Sequence, residues 1–464
     1  MKNHNYYEGK FTLNRSLILR KSNTEYKIYD IRYQKIYTIN SYFYNVLRLF
    51  QKNCTNLTQI EKYFVDNNIP NYISNVNQLL EDKNYIKNLL VTDSLPTKTE
   101  DIYKHISINK HQLQEYTPVS IDFLITNRCN LSCPHCYRNS TAKDSLNPLN
   151  LERIYRLLDE MEQLNVFQLK ITGGEPFLCK DLFNIVEYGV TKSISIAILS
   201  NATIPLNEAW LNLLAHKNIT LNISLDGATP DTHDVIRGKG AFNRTIQNLH
   251  KFTQYNISYA IMFTINNTNK HEVQDVISLI ENNFKIRELG FNFVEKHGRA
   301  KEDDKDLFSL GKKEVQEIKR EINRLAISSS LNITISDNNA FASTTTELDE
   351  LNAKGNKVYC KGGTHLLAID SNLAVYPCIF GIGGVKEYPV GNLNEDSLLN
   401  IWSNNRQLDV FRGSLNIEDL SKCSSCNLKS RCKLKSCRLK AIYSGYNFLD
   451  PVPHCLGMTS AVDA

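Results

Sequence analysis

The order of hydrophobic and polar positions predicts alternating strands and helices between residue 118 and about residue 294. Short apolar runs of buried-strand length alternate there with amphipathic segments. The six strand candidates are residues 120–125, 168–171, 194–199, 220–225, 259–265 and 288–294. In the helix predicted over residues 151–164, Ile154, Leu157, Leu158 and Met161 form one apolar stripe. This alternation predicts an α/β fold with a parallel sheet, and six units predict an incomplete barrel, a partial (β/α)6 architecture.

Residues 11–90 follow a different pattern, which predicts a small α+β module. Three short runs rich in β-branched and aromatic residues read as strands, at residues 16–20, 25–31 and 35–39. Three helices are expected to follow, the first from Asn40 or Ser41, the second from Thr58 and the third over residues 71–81. Strands followed by short helices favour a winged-helix-like module.

Composition limits the class of protein. The 42% hydrophobic content is enough for packed cores, and no run approaches the roughly 20 apolar residues that span a bilayer. The first residues, MKNHNYYEGKF, lack the apolar core of a signal peptide, so a cytoplasmic protein without a membrane span is expected. The formal net charge of +5 is too small to indicate nucleic-acid binding by itself.

The twelve cysteines indicate metal ligation, because disulfides are rare in a reducing compartment. Cys54 and Cys179 stand alone and are expected to be packed thiols. The other ten fall into two groups: Cys129, Cys133 and Cys136, and then Cys360, Cys378, Cys423, Cys426, Cys432, Cys437 and Cys455.

The first group forms the run CNLSCPHCY directly after the first predicted barrel strand. Three thiolates can bind three irons of a [4Fe–4S] cluster and leave the fourth iron open for a chelating cofactor. The alternative is a zinc knuckle, for which His135 is the only local fourth ligand. The spacing, ending in the aromatic Tyr137, resembles the signature of the radical S-adenosylmethionine (radical SAM) superfamily, and this resemblance implies SAM on the open iron.

A glycine-rich turn extends the resemblance. The run Thr172-Gly173-Gly174-Glu175-Pro176 follows the second strand and looks like the family's GGEP motif, which implies binding of the SAM amino group. Glycines allow close approach of the backbone, and a carboxylate is a charge-assisted acceptor for an ammonium group. Ser200 and Asn201 lie where relatives have a Thr-Asn-Gly turn near the ribose, but Ala202 stands in place of the glycine.

The runs SLDG at 224–227, HD at 233–234 and RGKGAF at 237–242 resemble the peptide-modifying branch of this superfamily. In that branch the matching serine and arginine hold the SAM carboxylate, which implies these roles for Ser224 and Arg237. Asp226 is either a cofactor-binding residue or a structural cap.

The second group of cysteines resembles the SPASM domain, a loop-rich module that holds two auxiliary [4Fe–4S] clusters. The family pattern implies that Cys423, Cys426, Cys432 and Cys455 hold one cluster, and that Cys360, Cys378 and Cys437 hold the other, whose fourth ligand is open. Four residues separate Cys432 from Cys437, where three are usual in this domain, and Leu373 stands at a position that is usually glycine. Structural zinc is the alternative. His365 is a candidate for the missing ligand, but an ordinary loop or core histidine is the expected reading.

The first module resembles, by order of elements, the PqqD-like recognition element fused to maturases of ribosomally made peptides. In that family a leader peptide adds as a strand beside the third strand, here 35–39, and packs on the last helix. A DNA-binding winged helix is the alternative, since basic residues outnumber acidic ones in residues 1–90. The segment 71–81 contains no Lys or Arg for phosphate contacts, so a peptide partner, and not nucleic acid, is expected.

The resemblance implies a domain order and a reaction. The expected domains are a recognition module (1–95), a linker (96–117), a radical SAM partial barrel (118–300), a bridging helical segment (301–358) and a SPASM domain (359–464). The module order and the run NFVEKHGR at 292–299 look most like sactipeptide maturases, which form bonds between cysteine sulfur and an α-carbon. Ile379 after Cys378 counts against sulfatase-type alcohol oxidation, which uses an aspartate there.

Other reactions of this branch stay open. They are carbon–carbon crosslinking, β- or γ-carbon thioether formation and epimerisation, with an iron–sulfur DNA-binding regulator as the alternative outside the enzymes. The implied electron donor is a flavodoxin or a ferredoxin, and no catalytic acid or base can be named from the sequence.

Overall fold

A computed structural model of the chain describes most residues after residue 117 and five strands before it. The described ranges are 118–143, 149–164, 166–192, 194–294, 298–302, 310–335, 356–382, 387–427, 429, 437–443 and 445–451. The expected helices of the first module, the linker, Cys54, Cys432 and Cys455 lie outside the described residues. The chain divides into two compact units, Met1–Gln112 and Leu113–Ala464.

The first unit contains five short strands: β1 (Phe11–Leu13), β2 (Leu17–Lys21), β3 (Tyr26–Asp30), β4 (Lys35–Ile39) and β5 (Leu90–Thr92). The three strands predicted from the sequence are present as β2, β3 and β4, which form an antiparallel sheet in that order. β1 pairs antiparallel with β5. Among the described strands, β4 pairs only with β3 and is therefore an edge strand of its sheet.

All six predicted barrel strands are present in the second unit and lie side by side in chain order. They are β6 (Ser120–Thr126), β7 (Gln168–Gly173), β8 (Ser195–Ser200), β9 (Ile219–Ser224), β10 (Tyr259–Ile265) and β11 (Glu288–Phe293). Every neighbouring pair is parallel, as the helical crossovers require.

The helices of the second unit are α1 (Leu151–Gln163), α2 (Leu182–Thr191), α3 (Glu208–Leu214), α4 (Pro230–Arg237), α5 (Ala241–Gln254), α6 (Val273–Asn283) and α7 (Lys312–Ser328). The predicted stripe of α1 is the face it buries, and its Asn150 cap accepts a hydrogen bond from the Arg153 amide. Buried residues of α1, α2, α3, α5, α6 and α7 form one core with the strands, and Cys179 is buried in it as expected. In the described residues no helix is long and apolar enough to cross a membrane.

The sheet is larger than the sequence pattern predicts. β12 (Asn332–Ile335) pairs parallel with β11, in the segment expected to be a helical bridge. At the other edge β14 (Leu366–Ile369) pairs parallel with β6, followed by β15 (Ala374–Tyr376) and β16 (Gly391–Asn392) in antiparallel order. The cysteine-rich region therefore continues the barrel sheet, and the described sheet is open, with ends at β12 and β16.

The remaining described elements belong to the cysteine-rich region. β13 (Lys357–Tyr359) pairs antiparallel with β17 (Arg412–Asn416), and the helices are α8 (Leu398–Asn404) and α9 (Arg438–Tyr443). Buried side chains of α8 join the core of the barrel, so this region packs as part of the second unit.

Candidate active site

The loop after β6 carries Cys129, Cys133 and Cys136, which are all free thiols and partly buried. The Cys129 amide donates to the Thr141 carbonyl at 3.0 Å, which closes the loop. The Cys129 sulfur accepts from the Leu131 amide at 3.4 Å. The pKa of the Cys129 thiol is raised to about 11, mainly by burial and with smaller contributions from Glu175, Cys133 and Cys136, so the three thiols are electrostatically coupled. Such coupled thiols favour a cation that stabilises the thiolates.

The glycine-rich turn after β7 lies against the backbone that leads to the cysteine loop. The Gly174 amide donates to the Thr126 carbonyl at 2.7 Å, and the Glu175 amide donates to the Arg128 carbonyl at 2.9 Å. A Cβ at Gly173, whose φ is +137°, would lie 2.1 Å from the Thr126 oxygen, and one at Gly174 would lie 2.2 Å from the Arg128 oxygen. Only glycine fits at both positions, because the two backbones are in contact.

The Glu175 carboxylate is buried and already accepts hydrogen bonds. Ser200 Oγ donates to it at 2.9 Å, and the Asn201 amide donates at 2.8 Å. Burial nevertheless raises the pKa of Glu175 to about 7, since it outweighs these bonds and the more distant Arg237. The glycine-rich turn, in which Pro176 follows Glu175, is thus hydrogen-bonded to the Ser200–Asn201 turn. The family resemblance implies that this second turn lies near the ribose of SAM. A bound ammonium group would favour the charged form of this carboxylate.

The Ser200–Asn201 turn also reaches the cysteine loop. Asn201 Nδ2 donates to Asn130 Oδ1 at 3.0 Å and lies 3.9 Å from the Cys129 sulfur. Ala202, at the position where relatives have glycine, has a φ of +52°, in the left-handed region that favours glycine. Asn248 Nδ2 holds this strained residue by donating to the Ala202 carbonyl at 2.7 Å.

Asp226 and Arg237 form a buried ion pair behind the cysteine loop. Arg237 Nε donates to Asp226 Oδ2 at 2.6 Å, and the Thr264 amide donates to Asp226 Oδ1 at 2.8 Å. Burial acts to raise the pKa of Asp226, but Arg237 and His135 outweigh it and hold that pKa below its usual value. Asp226 therefore favours its ionised form and is hydrogen-bonded to Arg237, and its role in cofactor binding stays a prediction. Ser224, the other residue assigned to the SAM carboxylate, is the last residue of β9.

Two histidines surround this ion pair. His135 Nε2 lies 3.5 Å from Asp226 Oδ2, and His233 Nδ1 accepts from the Asp226 amide at 3.1 Å. Burial lowers the pKa of each histidine to about 4. His135 Nδ1 and His233 Nε2 are buried and have no hydrogen-bond partner among the described residues.

Gly298 and Arg299 hold the cysteine loop from the end of the barrel. Arg299 donates from Nε to the Cys133 carbonyl at 2.8 Å and from its backbone amide to the Cys136 carbonyl at 3.0 Å. Gly298 has a φ of +56°, and a Cβ there would lie 2.3 Å from the Cys136 oxygen. Sequence reasoning noted this Gly-Arg pair only as part of a family-like run; its direct contact with the cysteines is a finding of the structure.

The second cysteine group is described in part. Cys360 and Cys378 are buried, and the pKa of each thiol is raised by burial and by the nearby Cys437. Cys423 and Cys426 lie in one turn, where the Cys426 amide donates to the Cys423 carbonyl at 3.2 Å. The structure therefore brings together Cys360, Cys378 and Cys437, the set that the family pattern implies. His365, the candidate fourth ligand, contacts Thr364 Oγ1 through Nδ1 at 3.0 Å.

The residues fit the groups that the resemblance implies. Coupled thiols, a buried acceptor at Glu175 and a buried cation at Arg237 match a chelated amino acid with an amino and a carboxylate end. Within the described ranges, no three His, Cys, Asp or Glu side chains already form a closed metal site.

Comparisons with known proteins agree with this geometry. The radical SAM superfamily profile matches residues 123–280, and the profile of the SPASM iron–sulfur cluster-binding domain matches residues 360–427. The AdoMet-dependent heme synthase of Methanosarcina barkeri is 27% identical over 73% of this chain and 96% of its own. The antilisterial bacteriocin subtilosin biosynthesis protein AlbA of Bacillus subtilis is 30% identical over 40% of this chain and 41% of its own.

Among solved structures, Streptococcus suis SuiB bound to precursor peptide SuiA has a TM-score of 0.63 at 17% identity and covers 96% of this chain and 100% of its own. At that identity the likeness concerns the fold. The two domain matches define the class: this protein is a radical SAM enzyme with a C-terminal SPASM domain. It uses a [4Fe–4S] cluster with SAM, and its SPASM domain binds auxiliary iron–sulfur clusters.

Proposed function

We propose that the protein modifies a ribosomally made precursor peptide by joining a cysteine sulfur to an α-carbon of the same peptide. When bound, the cluster and SAM supply a 5′-deoxyadenosyl radical that abstracts a hydrogen atom from the substrate. The chain's own residues bind SAM, hold the peptide and exclude water. A low-potential donor such as a flavodoxin or ferredoxin is the expected electron source.

SAM binding follows from the buried groups beside the cysteine loop. Glu175 supplies carboxylate oxygens for the amino group, while Arg237 and Ser224 take the carboxylate, with Arg237 held in place by Asp226 at 2.6 Å. Tyr137 and the Ser200–Asn201 turn are assigned to the nucleoside. Cys129, Cys133 and Cys136 hold the SAM-binding cluster. Cys360, Cys378 and Cys437 hold one auxiliary cluster, and Cys423, Cys426, Cys432 and Cys455 the other.

The observation that most supports a peptide substrate is the three-stranded sheet of the first unit, with β4 at its edge among the described strands. An edge strand offers a row of backbone donors and acceptors to which an extended peptide can add. The leader segment of the precursor is the proposed occupant. Two relatives point the same way, since AlbA is named for bacteriocin biosynthesis and SuiB was crystallised with a precursor peptide.

Mass spectrometry of a reconstituted reaction tests the proposal. Enzyme loaded with iron and sulfide under anaerobic conditions is incubated with SAM, dithionite and the cysteine-containing precursor peptide encoded beside its gene. Sulfur-to-carbon crosslinking predicts a loss of two hydrogens per bond together with loss of one alkylatable thiol, and fragmentation locates the carbon. Two hydrogens lost with every thiol retained would indicate carbon–carbon crosslinking, and an unchanged mass with altered chirality would indicate epimerisation. A peptide that is neither bound nor changed contradicts the proposal.

A further inference from the structure

The two faces of the barrel sheet differ in what covers them. Outward residues of β6 and β7, such as Phe123 and Ile171, are fully buried against the helices. Alternate residues point to the opposite, inner face, and many of these are only partly buried, as are Asn222 and Met262. Leu199, on the same face, is 37% exposed. The inner face of β8 to β10 therefore lines an accessible space, whereas on the inner face of β6 Leu124 packs against Tyr376 and Ile382.

Four polar residues form a patch on this inner face, at the N-terminal halves of β6 and β7. Ser120 pairs in register with Gln168, and Asp122 pairs with Lys170, so the four side chains occupy adjacent positions of two neighbouring strands. We call Ser120, Asp122, Gln168 and Lys170 the inner polar patch. The sequence shows them only as the polar members of two buried-strand runs.

Three atoms of the inner polar patch have unmet hydrogen-bonding capacity. Ser120 Oγ, Asp122 Oδ1 and Gln168 Oε1 are buried and have no hydrogen-bond partner among the described residues. The Lys170 ammonium lies 3.9 Å from Asp122 Oδ1, beyond hydrogen-bond range. Buried polar atoms of native proteins almost always have a partner, because leaving one unpaired is costly, so three on adjacent positions indicate an occupant.

The strand β6, which carries Ser120 and Asp122, connects the patch to both cysteine groups. It leads into the loop that carries Cys129, and it pairs with β14, which lies between Cys360 and Cys378 in the chain. Burial raises the pKa of Asp122 itself, and Lys170 opposes that shift. With side chains 16% and 34% exposed, Asp122 and Lys170 remain reachable from the inner space.

The chemistry of the patch selects the kind of occupant. Gln168 Oε1 and Asp122 Oδ1 are acceptors, the Ser120 hydroxyl can accept, and the Lys170 charge offsets that of Asp122. A neutral group that donates hydrogen bonds is complementary to such a surface. We propose that the inner polar patch binds backbone N–H groups of the core segment of the precursor peptide and holds that segment between the two cysteine groups. This inference rests on the proposed peptide function and names where the reacting segment is held.

The experiment uses the reconstituted holoenzyme with SAM and two probes: the full precursor peptide and its core segment without the leader, which removes the contribution of leader docking. Asp122→Asn and Gln168→Leu each replace an acceptor with little change of volume. Glu187→Gln, on the exposed outer side of α2, is the matched charge control. Each acceptor variant should weaken core-peptide binding about tenfold, equivalent to ~1.4 kcal/mol, and should lower the yield of modified peptide per 5′-deoxyadenosine. Glu187→Gln should match the wild type in both.

The outcomes separate the inference from the function on which it rests. If the wild type modifies the precursor and both acceptor variants bind and modify it equally well, the patch holds only ordered water and the inference is wrong. If the wild type neither binds nor modifies the precursor, the proposed function fails first. Iron content and melting temperature are measured for every variant. If Asp122→Asn and Gln168→Leu both unfold, Ser120→Ala is tested instead, because it removes only one hydroxyl. Unchanged binding of the core peptide by the Ser120→Ala enzyme would contradict the inference.

Discussion

The hydroxyl of Tyr443 donates a hydrogen bond of 2.8 Å to the backbone carbonyl of Tyr137. Tyr443 ends α9, the helix that follows Cys437, whereas Tyr137 directly follows Cys136. Phe380, in the turn after Cys378, packs edge-on against Tyr443 with ring centroids 5.7 Å apart. Arg138 adds a second link by donating to the Ile382 carbonyl at 2.8 Å. The loop of Cys129, Cys133 and Cys136, proposed to hold the SAM-binding cluster and called the SAM-cluster loop, is thus joined by direct contacts to the region of Cys378 and Cys437, proposed to hold an auxiliary cluster.

Tyr443→Phe should therefore loosen the SAM-cluster loop without removing any cysteine. Loss of one hydrogen bond should cost about 0.5–1.5 kcal/mol and should weaken SAM binding by a few-fold. The measurements are the SAM dissociation constant and the electron paramagnetic resonance spectrum of the reduced SAM-cluster with SAM. Tyr446→Phe removes an exposed hydroxyl from the same segment and is the control. A Tyr443→Phe enzyme with unaltered spectrum and affinity would mean that the two regions are not coupled through this bond.

Replacing Cys129, Cys133 or Cys136 with Ala should each abolish SAM cleavage, because two thiolates cannot hold the cluster with its open iron in place. Production of 5′-deoxyadenosine with dithionite is the activity measurement, and iron content of the variant provides an independent one. Cys179→Ala is the control, since that thiol packs in the apolar core and its loss should cost about 1 kcal/mol of stability with cleavage retained. Full cleavage by any of the three loop variants would contradict the assignment.

Arg237→Ala should weaken SAM binding by about 10- to 150-fold, as expected for loss of a charge-assisted pair of ~1.5–3 kcal/mol, while iron content stays unchanged. Asp226→Asn should also weaken binding, because Arg237 loses the carboxylate that orients it at 2.6 Å. If Asp226 acts through Arg237, the double variant should bind SAM no more weakly than Arg237→Ala alone. Asp231→Asn, an exposed position in the first turn of α4, controls for the charge change. Strictly additive losses would show that Asp226 acts independently.

The sequence predicts the parts of this fold that depend on residues close together in the chain, but not those that depend on contacts between distant segments. The six barrel strands and the buried stripe of α1 follow from local periodicity and are present as predicted. The addition of β12 and β14 to the sheet depends on contacts between distant segments, which periodicity does not report. The Tyr443–Tyr137 bond and the contacts of Arg299 with the cysteine loop are of the same long-range kind.

Two departures from the family pattern are instructive about the site. Ala202 and Leu373 each stand where relatives have glycine, and both adopt positive φ angles, +52° and +64°. The backbone conformation is thus kept although the residue type that favours it is absent. Leu373 is buried, so packing of its side chain offsets part of the local strain. A missing glycine in the sequence therefore did not indicate a different turn.

The proposed docking of a leader peptide on β4 can be tested by removing a single backbone N–H donor from that strand. In an antiparallel pair, successive residues direct their N–H groups alternately toward the partner strand and away from it. Ile36 pairs with Tyr29, and Tyr37 pairs with Ile28, so one of Ile36 and Tyr37 presents its N–H to the free edge. Proline removes that donor. Of Ile36→Pro and Tyr37→Pro, we expect one to disrupt the sheet of the first unit and the other to keep it folded but to weaken leader binding.

Fluorescence anisotropy of the full-length protein provides the measurement, with a labelled leader peptide and a random DNA duplex as probes at low and moderate salt. Circular dichroism identifies which proline variant keeps the native fold, and only that variant is compared with the wild type. Strand addition relies on backbone hydrogen bonds, so leader binding should depend only moderately on salt. DNA binding would weaken steeply with salt, because phosphate contacts release counterions. Tight, salt-sensitive binding of the duplex without leader binding would favour a regulator, and leader binding unaffected by the folded proline variant would place the docking site elsewhere.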